Sequence, residues 1–260
     1  MPKSPVQIGL TQFNIAWEQP AKNLLILEDM FSGLESNPDI IFLPEMFTTG
    51  FTMNAVAMAE DMEGTSVSWM KEMAAALQCD LAGSLIIEED QRYYNRLVWM
   101  GPEGLRGTYD KRHLFTMAGE DRVYTGGKDR TMIQKSGWNF YPFICYDVRF
   151  PVWTRVDASA DVLVFVANFP EKRIDAWSQL LIARAIENQC YVVGLNRVGW
   201  DGEQHYYNGA SVVVDPMGKI ILALEEREEI GIATLDGVEL QLIRQDLPFL
   251  NDADEFKISL

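Results

Sequence analysis

Short apolar runs and longer amphipathic stretches follow one another along this chain, and their lengths distinguish strands from helices. Runs of strand length lie at residues 6–13, 39–45, 81–87, 94–100, 105–111, 141–145, 162–167 and 191–196. Apolar residues three or four positions apart predict helices at 21–35, from about 66, at 152–158 and at 175–188. Because strands and helices alternate, the pattern predicts an α/β fold with two sheets between helical layers.

The same pattern predicts which helix positions face the core and where one tight turn lies. The predicted inner positions are, in the first helix, Leu24, Leu25, Leu27 and Met30 and, in the second, Trp69, Met73 and Leu77. Asp215-Pro-Met-Gly218 has Asp, Pro and Gly at the positions that a type I turn favours. We therefore expect this segment to join two strands of a hairpin.

Length and composition predict one domain that spans residues 1–260. A chain of 260 residues with 48% hydrophobic content can bury one large core, and no repeat, linker-like stretch or sharp change of composition divides it. No apolar run approaches the roughly 20 residues that cross a bilayer. The first 13 residues lack the apolar centre of a signal peptide, so we expect a cytoplasmic protein.

Charge and metal-ligand spacing exclude several classes of partner. The net charge of −16 disfavours nucleic acid and anionic membrane surfaces. Cys79, Cys145 and Cys190 form no Cys-x-x-Cys pair, and an odd number of cysteines fits a reducing compartment. The two histidines, His113 and His205, have no metal-ligand spacing, so we expect neither a metal nor a cofactor. His113 is expected to pack or hydrogen-bond beside Lys111, in the segment 105–115 that we call the lysine segment.

Three chemically active residues end predicted strands. Cys145 ends the apolar run that begins at Tyr141, Glu45 follows Pro44 after a buried run, and Lys111 lies at or just past the end of the strand from 105. The carboxyl ends of strands form the edge where α/β proteins bind ligands. Taken singly, each has an ordinary structural explanation: a core thiol, a turn carboxylate and a surface lysine. Together they predict a nucleophile, an acid–base group and a cation at one edge.

These residues lie in segments that resemble the three signature segments of the nitrilase superfamily of carbon–nitrogen hydrolases. The segments are Leu-Pro-Glu at 43–45, Asp-Lys-Arg-His-Leu-Phe at 110–115 and Cys-Tyr-Asp-Val-Arg-Phe-Pro at 145–151. The stretches at 166–173, 183–188 and 252–256 resemble the bacterial omega-amidases of that superfamily. The resemblance covers nearly the whole chain and implies an α-β-β-α sandwich, a four-layer fold.

Amide hydrolysis places definite demands on these groups. Ordinary pKa values of about 4.3 for Glu and 8.5 for Cys leave a gap of roughly 6 kcal/mol against proton transfer from Cys145 to Glu45. Burial of the carboxylate and the charge of Lys111 both narrow that gap. We expect Glu45 as general base, Cys145 as nucleophile, and an oxyanion held by Lys111 and the backbone N–H of Tyr146. A thioester intermediate would then be hydrolysed by water.

The resemblance also implies a role for Glu120, which matches a second glutamate that lines the pocket in this superfamily and orients the lysine or the substrate. A plain loop carboxylate is the alternative. The Tyr146-Asp147 pair after the cysteine resembles the amidase and carbamoylase branches, whereas some nitrile-hydrolysing members carry Trp-Glu there.

The expected substrate is a small omega-amido 2-oxo acid, such as 2-oxoglutaramate or 2-oxosuccinamate. Arg173 is the predicted partner of its carboxylate, with Lys172 and Arg149 as competitors. Arg149 is instead expected to brace the cysteine loop through an internal carboxylate. The residues expected to form apolar walls of the substrate pocket are Phe47, Phe51, Phe115 and Met117.

Helix 175–188 is more apolar than one buried face requires, with Trp177, Leu180, Leu181, Ile182 and Ile186 around its circumference. In the superfamily the equivalent helix pairs with its copy, which implies at least a homodimer. Two other readings of the whole chain stay open. One is a different carbon–nitrogen hydrolase, acting on N-carbamoyl amino acids or deaminated glutathione. The other is a non-catalytic interaction protein or a thiol sensor that uses Cys145.

Overall fold

The computed structural model describes residues 3–156 and 159–259. The strands within them are β1 (Val6–Gln12), β2 (Ile40–Phe42), β3 (Asp80–Glu89), β4 (Arg92–Gly101), β5 (Gly104–Asp110), β6 (Ile133–Lys135), β7 (Trp138–Ile144), β8 (Val162–Val166), β9 (Tyr191–Leu195), β10 (Val198–Trp200), β11 (Tyr206–Asn208), β12 (Val212–Val214), β13 (Ile220–Ala223) and β14 (Glu229–Leu235). The α-helices are α1 (Pro20–Ser32), α2 (Ala55–Met58), α3 (Thr65–Leu77), α4 (Pro151–Thr154), α5 (Ile174–Asn188) and α6 (Gly237–Asp246).

Two six-stranded sheets contain twelve of these strands, and β10 and β11 form a separate hairpin. The first sheet has the order β14-β1-β2-β3-β4-β5, and the second has the order β13-β12-β9-β8-β7-β6. In the first sheet β1, β2 and β3 are parallel, and in the second β7, β8 and β9 are parallel. β5 runs in the same direction as β3, because β4 pairs antiparallel with both. The carboxyl ends of β2 and β5 therefore share one edge.

The inner faces of the sheets pack against each other, and helices cover their outer faces. Side chains from both sheets form one buried cluster, in which Trp99 of β4 and Phe140 of β7 lie with ring centroids 5.3 Å apart. A second cluster joins the other face of the first sheet to α1 and α3. Trp177 and Leu181 of α5 are buried against the second sheet. The predicted α-β-β-α sandwich is confirmed.

Most predicted elements agree with the structure to within a few residues, and two details differ. Leu25 is wrong as an inner residue of α1, because its side chain is 64% exposed while Phe31 packs inside instead. The helix predicted at 152–158 is a single turn at Pro151–Thr154, and residues 157 and 158 lie outside the described part of the chain. Asp215 and Gly218 close the predicted turn with a backbone hydrogen bond of 3.0 Å, and it joins β12 to β13.

Sequence patterns did not predict the β10–β11 hairpin, β14 or α6. β14 pairs with β1 and so brings the end of the chain back to the first sheet. Within the described residues, no helix is long and apolar enough to cross a membrane.

Candidate active site

Cys145 follows β7 at a sharp turn of the backbone. Its φ of +46° is rare for a residue with a Cβ atom, and residues Cys145–Arg149 continue as a short 3-10 helix. The thiol is 9% exposed, and its Sγ lies 3.8 Å from the backbone oxygen of Asn168.

Glu45 lies just beyond β2 and is fully buried. Its Oε1 accepts hydrogen bonds from Lys111 Nζ and Asn95 Nδ2, both at 2.8 Å. Its Oε2 accepts the backbone N–H of Asn168 at 2.8 Å. Asn168 also donates from its side-chain amide to the backbone oxygen of Glu45 at 2.5 Å. Donors from three different segments thus fix the orientation of this carboxylate.

Lys111 follows β5 and joins two buried carboxylates. Its Nζ is 2.8 Å from Glu45 Oε1 and 3.0 and 2.9 Å from the two oxygens of Glu120. Glu120 is itself held by the backbone N–H of Phe115 at 2.5 Å. Both carboxylates are 0% exposed, so the ammonium group replaces water as their partner.

Burial and charge act on the pKa values of these groups in opposite directions. Burial, followed by the charge of Glu45, raises the pKa of the Cys145 thiol well above its ordinary value, although Lys111 lowers it. Burial alone would lower the pKa of Lys111, but Glu120 and Glu45 outweigh it and raise that pKa. Burial also raises the pKa of Glu120 against the lowering effect of Lys111. At neutral pH the resting site therefore holds a neutral thiol beside a charged ammonium group.

A cavity of about 540 Å³ contains Cys145, Lys111 and Tyr146 in its wall. Of the residues predicted to bind substrate, Phe51, Phe115, Met117 and Arg173 line this cavity. The prediction for Phe47 is wrong. Its side chain is fully buried behind the site and packs on Trp69 of α3, with ring centroids 6.1 Å apart. The chain turns at Met46, which has a φ of +45°, and this turn directs Phe47 into the helix-side core.

Arg149, within the segment 145–151, does not make the contacts that the sequence predicted for it. Arg149 is half-buried and lines the cavity, with its guanidinium 5.5 Å from the ring centroid of Phe169. No carboxylate in residues 3–156 or 159–259 pairs with it, so the predicted internal ion pair is wrong. Arg184 instead braces the cysteine loop by donating to the backbone oxygen of Val148 at 2.7 and 3.1 Å. Lys172 is exposed and does not line the cavity.

Arg173 lies on the same side of the cavity. Its guanidinium is 4.9 Å from the ring of Phe115 and 5.8 Å from that of Phe169. Like Arg149, it forms no ion pair with a carboxylate in the described part of the chain. Two guanidinium groups thus stack on one phenylalanine at the wall that also carries Cys145.

Sequence reasoning missed several residues of the site. Asn168 is the second residue after β8, so the rule that drew attention to Cys145 could have found it. Asn95 interrupts the apolar run of β4, which marks a buried amide that needs partners. Trp17, Asp201 and Tyr207 come from loops and from the hairpin, where no sequence pattern indicated a role. Among the described residues, no group of three or more His, Cys, Asp or Glu could hold a metal ion.

A buried thiol, an ion-paired lysine and two carboxylates between the paired sheets of an α-β-β-α sandwich are typical of a class of hydrolases that act on carbon–nitrogen bonds. The sequence agrees, since the model of the carbon–nitrogen hydrolase family matches residues 7–245. The chain belongs to that family, and it is a hydrolase of carbon–nitrogen bonds other than peptide bonds.

Its relatives resemble it over almost their whole lengths. "Omega-amidase YafV" of Yersinia enterocolitica is 39% identical over 254 residues, which covers 97% of this chain and 98% of that protein. "2-Oxoglutaramate amidase" of Bacillus subtilis (strain 168) is 32% identical over 250 residues, or 94% and 96% of the two chains. The crystal structure of XC1258 from Xanthomonas campestris, a CN-hydrolase superfamily protein with an arsenic adduct in the active site, has a TM-score of 0.96 at 37% identity and covers 98% of this chain and 100% of that one.

Proposed function

We propose that this enzyme is an omega-amidase. It hydrolyses the terminal amide of small omega-amido 2-oxo acids, such as 2-oxoglutaramate and 2-oxosuccinamate, to the dicarboxylate and ammonia. The observation that carries the proposal is the pair Arg149 and Arg173, two guanidinium groups without carboxylate partners among the described residues, on the cavity that contains Cys145. In a chain of net charge −16, such a pair favours a substrate that brings its own carboxylate. The identity with named omega-amidases supports the same substrate class.

In the proposed mechanism, proton transfer accompanies attack, because the raised pKa of Cys145 keeps the resting thiol neutral. Glu45 accepts the thiol proton while the sulfur bonds to the amide carbon, and the carbonyl oxygen gains the negative charge. Lys111 and the backbone N–H of Tyr146 stabilise that oxyanion. Glu45 then gives its proton to the amide nitrogen, and the carbon–nitrogen bond breaks. Ammonia departs, and the acyl group remains on Cys145 as a thioester. Glu120 orients the ammonium group of Lys111, which it contacts with both oxygens.

The second half of the reaction uses the same groups in reverse. Glu45 removes a proton from a water molecule, whose oxygen attacks the thioester carbon. The carbon–sulfur bond then breaks, the acid leaves, and the sulfur recovers its proton from Glu45. Asn95 and Asn168 hold the Glu45 carboxylate in both halves of the reaction, because their hydrogen bonds to it do not involve the substrate.

Release of ammonia from a panel of amides tests the proposed function. We expect 2-oxoglutaramate and 2-oxosuccinamate to be hydrolysed with kcat/KM values at least about tenfold above those of uncharged amides of equal length, because one charge-assisted hydrogen bond contributes at least about 1.5 kcal/mol. N-carbamoyl amino acids and deaminated glutathione complete the panel. Faster turnover of either would assign the chain to another branch of the family.

Replacing Arg173 by Met should raise the KM for 2-oxoglutaramate by about 10- to 100-fold with a smaller change in kcat. The guanidinium holds the carboxylate in the ground state and in the transition state alike, so its loss weakens binding more than chemistry. Lys172→Met is the matched control, since Lys172 is the exposed neighbour outside the cavity. Steady-state kinetics with an uncharged amide should show no difference between Arg173→Met and the parent enzyme. An equal loss on both substrates would contradict the assignment.

We also propose a cytoplasmic homodimer. Ile186 of α5 is 52% exposed, and Ile182, one turn earlier on the same face, is half-buried, which supports a partner on this face. All three cysteines are free, as expected in a reducing compartment. Sedimentation at micromolar concentration tests the assembly, and a strictly monomeric profile would contradict the proposed dimer.

A further inference from the structure

The carboxylate of Asp147 joins the two segments that carry Lys111 and Cys145. It is fully buried. Its Oδ1 accepts the backbone N–H of His113 at 3.0 Å and lies 2.8 Å from His113 Nδ1, which must be the protonated nitrogen because a carboxylate only accepts. Its Oδ2 accepts the hydroxyl of Tyr109 at 2.7 Å and the backbone N–H of Ile144 at 3.1 Å. Tyr109 and His113 lie two residues on either side of Lys111.

These two segments belong to different sheets. Lys111 follows β5 at one end of the first sheet, whereas Cys145 follows β7 in the second. Two further contacts connect the segments around Asp147. The ring of His113 stacks on Phe150 with centroids 3.7 Å apart and planes 8° apart, and Trp153 Nε1 donates to the Tyr109 hydroxyl at 2.9 Å. Asp147 is the only described residue whose side chain accepts hydrogen bonds from both the lysine segment and the turn before Cys145.

The turn that Asp147 closes contains a residue in a strained conformation, Cys145. A non-glycine residue at a φ of +46° stores on the order of 1–3 kcal/mol and keeps that conformation only when its surroundings determine it. The hydrogen bond from Ile144 to Asp147 spans Cys145 and fixes the backbone on both sides of it. The same carboxylate therefore determines the direction of the thiol and the distance of the lysine segment from it.

We propose that Asp147 is a positioning residue, which sets the relation between the Lys111 ammonium and the Cys145 thiol without touching substrate. The inference rests on the proposed function for its kinetic part only. It adds a group outside the Glu45, Lys111, Glu120 and Cys145 set. The ammonium group of Lys111 favours the thiolate form of Cys145 less as the distance between the two groups grows, so the spacing of the two segments affects the thiol pKa.

Asp147→Asn tests the proposal. Asparagine has nearly the same size, but one of the two carboxylate oxygens becomes an N–H₂ group, which cannot accept a hydrogen bond. Depending on which oxygen is replaced, either Tyr109 and Ile144 or the two N–H groups of His113 lose their acceptor. We expect kcat for 2-oxoglutaramate to fall about 100-fold, the effect typical of a misplacement near 1 Å, while KM stays within about threefold. Alkylation of Cys145 by iodoacetamide should slow, and its pH profile should shift to higher pH, because Lys111 then lowers the thiol pKa less.

Two variants separate positioning from stability. Asp80→Asn is the matched control, because Asp80 is an equally buried aspartate with an aromatic donor, Trp99 Nε1 at 2.9 Å, at the opposite edge of the first sheet. It should lower the melting temperature and leave kcat and the alkylation profile unchanged. Tyr109→Phe removes one of the three donors that the segment around Lys111 supplies to Asp147, and it should move both readouts in the same direction as Asp147→Asn by a smaller factor.

The outcomes distinguish this proposal from the proposed function. An Asp147→Asn enzyme with kcat within about threefold of the parent, or a fall in kcat that Asp80→Asn reproduces, overturns the positioning role. If the parent enzyme hydrolyses another amide instead of 2-oxoglutaramate, the proposed function fails. The alkylation profile does not depend on the substrate, so it still decides whether Asp147 positions the thiol.

Discussion

Replacement of Cys145 by Ala is expected to abolish amide hydrolysis, with a fall in kcat on the order of 10⁴-fold or more. Without the sulfur no thioester forms, and water would have to attack an unactivated amide directly. Alanine keeps the Cβ atom at the φ of +46°, so the turn after β7 is neither relieved nor further strained. The fold should therefore survive, with a change in the free energy of unfolding of about 1 kcal/mol. Ammonia release and a thermal unfolding curve measure the two effects.

Cys190→Ala is the matched control for this experiment. Cys190 is also buried against the second sheet, and burial raises the pKa of its thiol to about 12. Lys111 lies beside Cys145 but is not among the groups that lower the pKa of Cys190. We expect Cys190→Ala to keep full activity and Cys145 to be the thiol that iodoacetamide labels first. Residual turnover above about 1% in Cys145→Ala would contradict covalent catalysis.

The sequence predicted the edge of the sheets at which the cavity lies, because hydrophobic patterns locate the ends of strands. A buried strand has a recognisable length; Lys111 and Cys145 each follow one directly, and Glu45 lies three residues after another. Parallel strands bring their carboxyl ends together whatever the intervening residues are. The rule therefore groups Glu45 with Lys111, which follow strands of the first sheet. Cys145 follows a strand of the second sheet, and the resemblance to the three nitrilase segments joined it to the other two.

Side-chain direction in the loops could not be predicted in the same way. Phe47 lies two residues after Glu45, but the positive φ of Met46 turns it into the core behind the site. Arg149 is close to Cys145 in sequence, yet the short helix from 145 to 149 carries its guanidinium to the cavity, where no internal carboxylate reaches it. Both outcomes depend on backbone dihedral angles at single residues, which hydrophobic periodicity does not encode.

Replacement of Lys111 by Met should remove activity and destabilise the fold together. Lys111 is the cation that holds both Glu45 and Glu120, each fully buried. Methionine fills a similar volume but leaves two fully buried carboxylates near each other without a cation, so one of them must take up a proton. Removing one partner of a buried ion pair costs about 3–5 kcal/mol. We expect that loss at pH 8, and a fall in kcat of at least about 10³-fold, because the thiolate and the oxyanion both lose their cation.

The pH dependence of that instability identifies its cause. In the parent enzyme burial already raises the pKa of Glu120, and Lys111 opposes the rise. In Lys111→Met the opposing charge is gone, so the pKa of this carboxyl group in the folded state lies well above its value of about 4.3 in the unfolded chain. A carboxyl whose pKa is raised on folding destabilises the fold above its folded pKa and ceases to do so below its unfolded pKa. The deficit relative to the parent should therefore shrink steadily as pH falls from 8 towards 5.

Urea unfolding of Lys111→Met and the parent enzyme at several pH values measures this deficit, and Lys135→Met provides the matched control. Lys135 also pairs with a fully buried carboxylate, that of Asp80, at 2.9 Å, but Arg106 pairs with the same group at 2.6 Å. A cation therefore remains beside Asp80 after the substitution, so the loss of stability should be smaller and nearly independent of pH, with activity retained. A deficit in Lys111→Met that stayed constant from pH 8 to pH 5 would mean that lost packing, and not two uncompensated carboxylates, destabilises the variant.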